Sequence, residues 1–403
     1  MAELLAPAGT FEKMETAFRF GADAVYFAGK KFGLRAFAGN FSDNEIQKAT
    51  TYAHSLGKKV FITINILAHE EDFDGLKEYL DELVKANVDA VIVSDLGIIE
   101  FIKEHAPSLT IHVSTQANIL NSYAIKFMHK MGAKRIILAR ELSIEEIKQI
   151  RKNIPKDIEL ECFVHGAMCI SYSGRCLLSN YLTGRDANRG QCAQPCRWEY
   201  TITEKSRKGE EYEIQEDNRG TYILNSKDMM MVDHLRELEE AGVTSFKIEG
   251  RMKSPYYVAN VVNAYRYALD NMDKLTEKDY EMLKRELCKT SHRQYTTGFY
   301  FGATDKECLS SSMPVQTSEF MASVIENGDG EKVLIEQRNR FKVGDLLEVL
   351  SPNKQTFNKQ IKLEKMTNEN GENVDDAKNV QQKLYIYTNL PLKVGDILRK
   401  ENN

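Results

Sequence analysis

Residues 59–94 read KVFITINILAHEEDFDGLKEYLDELVKANVDAVIVS. β-Branched and apolar residues crowd Lys59 to Ile64 and again Ala90 to Ser94, while Phe73 to Ala86 carries its apolar residues at helical spacing. Short apolar runs without alternation suit strands buried on both faces, and an amphipathic helix between two of them suits a parallel sheet covered by helices. A small or polar step joins helix to strand in NVDAVIV (87–93), and the same step recurs in GADAV (21–25) and GVTSFKI (242–248).

Outward from that unit, the pattern repeats. Six further runs read as strands: Leu4 to Ala8, Ala24 to Ala28, Ile111 to Thr115, Arg135 to Ala139, Glu159 to Val164 and Ser245 to Ile248. Helical stretches such as Thr10 to Phe20, Asp43 to Leu56 and Ile144 to Asn153 lie between them. Eight strands close a barrel, so the fold class expected is α/β, a (β/α)8 TIM-like barrel. A doubly wound open sheet is the alternative, but it ordinarily carries a glycine-rich loop after its first strand, and APAGTFEK (6–13) holds one glycine.

The repeat is interrupted after the seventh strand, where 166–224 precedes a helix expected around Met230 to Ala241. An insertion of that length on a barrel rim suits a functional role, and EYTITEKSRKGEEYEI (199–214) within it reads as a hairpin. A helix at Thr276 to Leu287 and the aromatic TTGFYFG (296–302) follow the barrel. From Phe320 the pattern turns to alternation with Gly and Asn turns, in MASVIEN, KVLIEQ, DLLEVLS, KLYIYT and GDILRK, which reads as a small all-β barrel of six strands. The expected domains are 1–300 for the barrel, 301–319 for a linker and 320–403 for the β module. MTNENGENVDDAKN (366–379) reads as a mobile loop.

The formal charge of −5 gives no overall field to attract a polyanion, so any nucleic-acid contact must be local. The start MAELLAPAGTFEK has no basic segment followed by an apolar one, and no window approaches a membrane span, so a cytoplasmic protein without membrane attachment is expected. Of seven cysteines, four fall in one segment, Cys169, Cys176, Cys192 and Cys196, spaced C-x6-C-x15-C-x3-C. In a reducing compartment, clustered thiols point to a metal rather than to disulfides. Four thiolates can complete a zinc site or hold an iron-sulfur cluster. The single close pair, Cys192 and Cys196, departs from the paired knuckles of structural zinc and favours iron-sulfur, with buried thiols as the plain alternative.

Active groups of a barrel stand at the C-terminal ends of its strands, which selects Gly9, Gly29, Asn65, Asp95, Ser114, Gln116, Arg140, Glu141, His165, Lys247, Glu249 and Arg251. Arg140, Lys247 and Arg251 are candidate anion-holding cations, with rim ion pairs to Glu141 and Glu249 as the alternative for the arginines. Lys247 and Glu249, two apart on a strand, should face the mouth together as an acid/base or ion pair. His165 is a candidate acid/base, a neighbour of the thiols or a hydrogen-bonded core histidine. Basic tracts at Lys205 to Lys208, Lys284 to Arg285 and Lys289 to Arg293, the last beside Tyr295, Phe299, Tyr300 and Phe301, are candidate RNA contacts or solvated faces.

The run HGAMCISYSGRCLLSNYLTGRDANRGQCAQPCRW (165–198), with LLAPAG (4–9), STQANI (114–119) and FKIEGRMKSPYYVANVVNAYR (246–266), resembles the peptidase U32 family across nearly the whole chain. The likeness is to its tRNA-hydroxylation branch. It implies prephenate-dependent formation of 5-hydroxyuridine at the wobble position, an iron-sulfur cluster of the 4Fe-4S type on Cys169, Cys176, Cys192 and Cys196, and tRNA, through its anticodon region, and prephenate as partners. In some members one cluster cysteine lies farther downstream, and Cys196 is the nearby fourth thiol here. A homodimer and a heteromer with a related U32 subunit both stay open. The alternatives are a peptidase, as the family label has it, and a non-enzymatic RNA-binding protein stapled by its cluster. The sequence holds neither H-E-x-x-H nor G-x-S-x-G, the motifs a metalloprotease or a serine hydrolase would show.

Overall fold

Eight parallel strands form one closed sheet: β1 (Glu3–Pro7), β2 (Ala24–Phe27), β3 (Lys59–Ile64), β4 (Ala90–Val93), β5 (Ile111–Val113), β6 (Ala133–Ile137), β7 (Glu159–Ala167) and β8 (Ser245–Ile248). Each pairs with the next, and β8 closes the ring against both β7 and β1. In this computed structural model, residues 2–33, 39–169, 171–198, 216–217, 220–221, 227–302 and 315–402 are described. The chain divides into two compact units, Met1–Met14, Ala22–Met252 and Arg293–Pro314 in the first, and Glu15–Gly21, Lys253–His292 and Val315–Asn403 in the second.

Helices α1 (Phe11–Arg19), α2 (Asp43–Ser55), α3 (Leu76–Lys85), α4 (Leu96–His105), α5 (Ser122–Lys130) and α6 (Ile144–Lys152) follow the first six strands in turn. Local chemistry sets their starts. The Asp95 carboxylate accepts from the amides of Gly97 and Ile98, and Ser143 and Glu146 form a capping box on α6. The expected (β/α)8 barrel is therefore present.

β7 runs three residues beyond its expected end, because Ala167, Gly166 and His165 pair antiparallel with a strand at Asp228–Met230. That pairing takes the start of the expected helix, and α8 is confined to Leu235–Glu240. The expected hairpin at 199–214, the tract Lys205 to Lys208 and residues 303–314 of the expected linker lie outside the described residues.

The interior of a barrel is usually filled by branched apolar side chains. Here one layer is polar. Arg135 bonds Glu3 at 2.5 Å, Glu159 at 2.7 Å and Glu161 at 3.0 Å, and Glu161 also accepts from Lys247 at 3.0 Å and Ser245 at 3.1 Å. Buried charge survives only when paired in this way. His112 packs edge-on against Phe61 in the same interior, and burial with the nearby cations pushes its pKa well below the ordinary value.

In the second unit, seven strands form an antiparallel sheet in the order β12 (Gln360–Lys362), β11 (Leu346–Leu350), β15 (Ile397–Glu401), β9 (Ser318–Val324), β10 (Lys332–Gln337), β14 (Lys383–Tyr387) and β13 (Met366–Thr367). The count is seven rather than six: Gln360–Lys362 and Met366–Thr367 lie outside the five segments read as strands, and Met366–Thr367, expected inside a mobile loop, pairs with Tyr385 and Ile386. Asp376–Ala377 of that loop likewise pairs with Phe341–Lys342, and Met366 and Ala377 are buried. This unit also holds α9 (Pro255–Asn271) and α10 (Glu277–Cys288). Arg399 is wholly buried there, bonded to Glu286 at 2.6 Å, Asn260 at 2.8 Å and Glu348 at 2.6 Å.

Candidate active site

At the C-terminal end of the barrel strands lies a cavity lined by Tyr26, Thr63, Asn65, Ile92, Ser114, Gln116, Arg140, Phe163, Lys247, Glu249 and Arg251 from the barrel, and by Met168, Cys169, Ser173, Cys176, Cys192, Gln194 and Cys196 from the insertion. Two glycines let the backbone carrying the charged residues come close. A Cβ on Gly9 would stand 2.6 Å from the Arg251 carbonyl oxygen. One on Gly166, whose φ is +107°, would stand 2.6 Å from that of Glu249.

Among the described residues, three cations face this space with one carboxylate, Glu249. The Arg140 guanidinium lies 3.9 Å from the Phe163 ring centroid, donates to the Ala167 carbonyl at 2.9 Å and stands 3.8 Å from Glu249. Arg251 donates to Thr63 Oγ1 at 3.2 Å and Asn40 Oδ1 at 3.0 Å. Lys247 Nζ sits 4.3 Å from the Tyr26 ring centroid, and burial lowers its pKa against the opposing pull of Glu161 and Glu249. The Tyr26 hydroxyl reaches Glu249 Oε2 at 3.5 Å. A pocket so charged suits an anion.

The four clustered thiols all reach this cavity, and none is in a disulfide. Burial raises the pKa of Cys169, while the Ser171 amide and Arg140 act against the rise. The Gln194 amide donates to Cys192 Sγ at 3.4 Å. Among the described residues, no three His, Cys, Asp or Glu side chains converge closely enough to ligate a single ion. Four soft thiol donors thus line one cavity.

Hydrogen bonds stitch this segment to the loops after three strands. The Glu141 carboxylate accepts from the amide and hydroxyl of Ser173, both at 2.6 Å. Arg175 Nε donates to the Gln116 carbonyl at 2.6 Å, and Arg189 grips Asp72 with two bonds of 2.6 and 2.9 Å. Asn188 and Cys176 exchange bonds of 3.3 and 3.1 Å. Ser173 and Gln194 hold left-handed backbone, a strained conformation that clusters at functional sites.

Of the residues selected from the sequence, Arg140, Lys247, Glu249 and Arg251 therefore meet, with Asn65, Ser114, Gln116 and the four cysteines. His165 does not line the cavity. Lys247 pairs with Phe163 but Ile248 pairs with His165, so a bulge at Val164 breaks the alternation and leaves the imidazole buried against Tyr295. Asp95 is a helix cap, and Glu141 serves Ser173 rather than Arg140. The tract from Lys289 to Arg293 is no solvated face: Lys289 is buried on Glu286 and Glu348, and Arg293 on Asp228. Sequence reasoning missed Tyr26, Thr63 and Phe163. Thr63 stands two before Asn65, a spacing that a period-two reading would have put on the same face.

The family model "Peptidase family U32" matches residues 9–310, and "Peptidase family U32 C-terminal domain" matches 316–399. The chain is 37% identical to "tRNA hydroxylation protein P1" of Bacillus subtilis (strain 168), over 99% of this chain and 94% of that protein. It is 38% identical to "tRNA hydroxylation protein P" of Escherichia coli (strain K12), over 92% and 90%. The "23S rRNA 5-hydroxycytidine C2501 synthase" of the same bacterium is 36% identical over 75% of this chain and 43% of its own length.

Proposed function

This chain belongs to peptidase family U32, and we propose that it is a tRNA-modifying hydroxylase that forms 5-hydroxyuridine at the wobble position, with prephenate as the small co-substrate. One observation carries this reading: among the described residues, four thiols outside any disulfide and three cations line a single cavity at the barrel mouth. Cys169, Cys176, Cys192 and Cys196 would hold an iron-sulfur cluster, since all four line the same cavity and thiolates are the ligands such a cluster takes. When bound, it supplies one-electron chemistry that side chains lack.

The chain's own residues bind and orient. Arg140 and Arg251 are the natural clamps for the two carboxylates of prephenate, and among the described residues the Arg140 Nε makes no hydrogen bond, so that donor remains available. Glu249 can take a proton at Oε2 beside the Tyr26 hydroxyl, and Lys247 releases one more readily than an exposed lysine. Among the described residues no histidine lines the cavity, so these offer no thiol-imidazole pair for peptide cleavage.

Nucleoside analysis of tRNA from cells lacking the gene, in a strain with no second route to the modification, tests the proposal. The 5-hydroxyuridine peak should vanish, return with the wild-type gene and stay absent with Cys176→Ala. An undiminished peak in the deletion strain would remove the hydroxylase, and full rescue by Cys176→Ala would remove the cluster.

A further inference from the structure

Residues 171–198 contain four arginines and one acidic residue, Asp186, a local balance of +3 (4 − 1), whereas the rest of the chain stands at −8 (−5 − 3). Arg189 is engaged by Asp72; Arg175 and Arg185 each donate Nε to a backbone carbonyl, of Gln116 and Gln191, and both are exposed. The same stretch holds the chain's single tryptophan, Trp198, which is 43% exposed, with Tyr172 at 48%, Leu177 at 74% and Tyr181 at 87%. These are large apolar surfaces to leave in water, and they alternate with cavity residues: Tyr172 precedes Ser173, and Leu177 follows Cys176.

The short helix α7 (Leu178–Thr183) explains the division. Ser179 is fully buried, donating to the Arg185 carbonyl at 2.7 Å and accepting from the Ala193 amide at 2.9 Å. Leu177 and Tyr181, four residues apart, share the outward side. Rings beside arginines fit an unpaired nucleic-acid strand: the charge meets phosphate and the ring stacks on a base, whereas the rest of the chain is net negative.

We propose that this outer face of the insertion docks the single-stranded part of the RNA substrate, with a base stacked on Tyr181 beside the cavity mouth. The inference rests on the hydroxylase reading and names where its RNA binds. Anisotropy of a labelled anticodon stem-loop RNA, titrated with full-length protein kept free of oxygen, tests it. Tyr181→Ala should weaken binding about tenfold, equivalent to about 1.4 kcal/mol, and Tyr181→Phe should keep it within about twofold. A fully paired duplex of the same length should not distinguish the variants.

Unchanged stem-loop binding by Tyr181→Ala overturns the proposal, as does an equal loss for the duplex. A lower mass in solution for Tyr181→Ala with RNA binding intact assigns the face to a second copy of the chain and also overturns it. The two readings fail separately. A Tyr181-dependent loop complex, in a protein whose deletion leaves 5-hydroxyuridine intact, keeps the surface and discards the hydroxylase; a protein-dependent modification with binding indifferent to Tyr181 does the reverse.

Discussion

Glu161 sits where two cations need it, 3.0 Å from both Arg135 and Lys247 and with no exposure to solvent. Arg135 keeps Glu3 and Glu159 if that carboxylate is lost, but Lys247 loses its direct carboxylate bond in the interior. Glu161→Leu is therefore expected to cost about 3–5 kcal/mol in urea unfolding. Adding Lys247→Met to it should restore at least about 1 kcal/mol, because the stranded ammonium is removed. Strictly additive losses in the double variant would mean that the two charges do not depend on each other. Lys247, Glu249 and Arg251 were readable in advance because strand ends face a barrel's mouth. Glu161 was not, since it lies within ELECFV (159–164), a run read only as a strand.

Residues 171–198 of the insertion are bonded to neighbouring loops, and among these bonds the Arg189–Asp72 fork is a two-bond charged pair. Asp72→Ala should loosen residues 185–198 while leaving barrel protection unchanged. A charged hydrogen-bonded pair contributes about 1–2 kcal/mol, so amide exchange in that stretch should quicken about 5- to 30-fold. Identical exchange rates would show that the fork anchors nothing. Strands were legible because burial on both faces writes itself as unbroken apolar runs: Lys59–Ile64 and Ser245–Ile248 begin and end as expected. What stayed hidden depends on partners distant in sequence. The extension of β7 needs Asp228–Met230, and the orientation of His165 depends on a bulge that only pairing with β8 reveals.

Across the whole chain, partly buried carboxylates tie stability to acidity in each unit. Burial alone would raise Glu3, but Arg135 and Lys59 hold it below the ordinary value of 4.5. Arg399 and Lys289 do the same for Glu348. A depressed carboxylate stabilises the fold above its unfolded value, and that contribution is lost as pH falls through the folded one. The urea midpoint should hold roughly level from about pH 7 to 5 and decline below about 4.5, and a midpoint still unchanged near pH 3 would contradict these pairings. The position of the cysteines along the chain has a further consequence. β8 alone closes the ring, against β1 and β7, and it follows all four thiols in sequence. During vectorial synthesis the ribosome thus releases seven barrel strands, with the β1 edge still unpaired, and all four cysteines before the closing strand exists. All four sulfurs are thus already outside the exit tunnel when the last seam of the cylinder is still open.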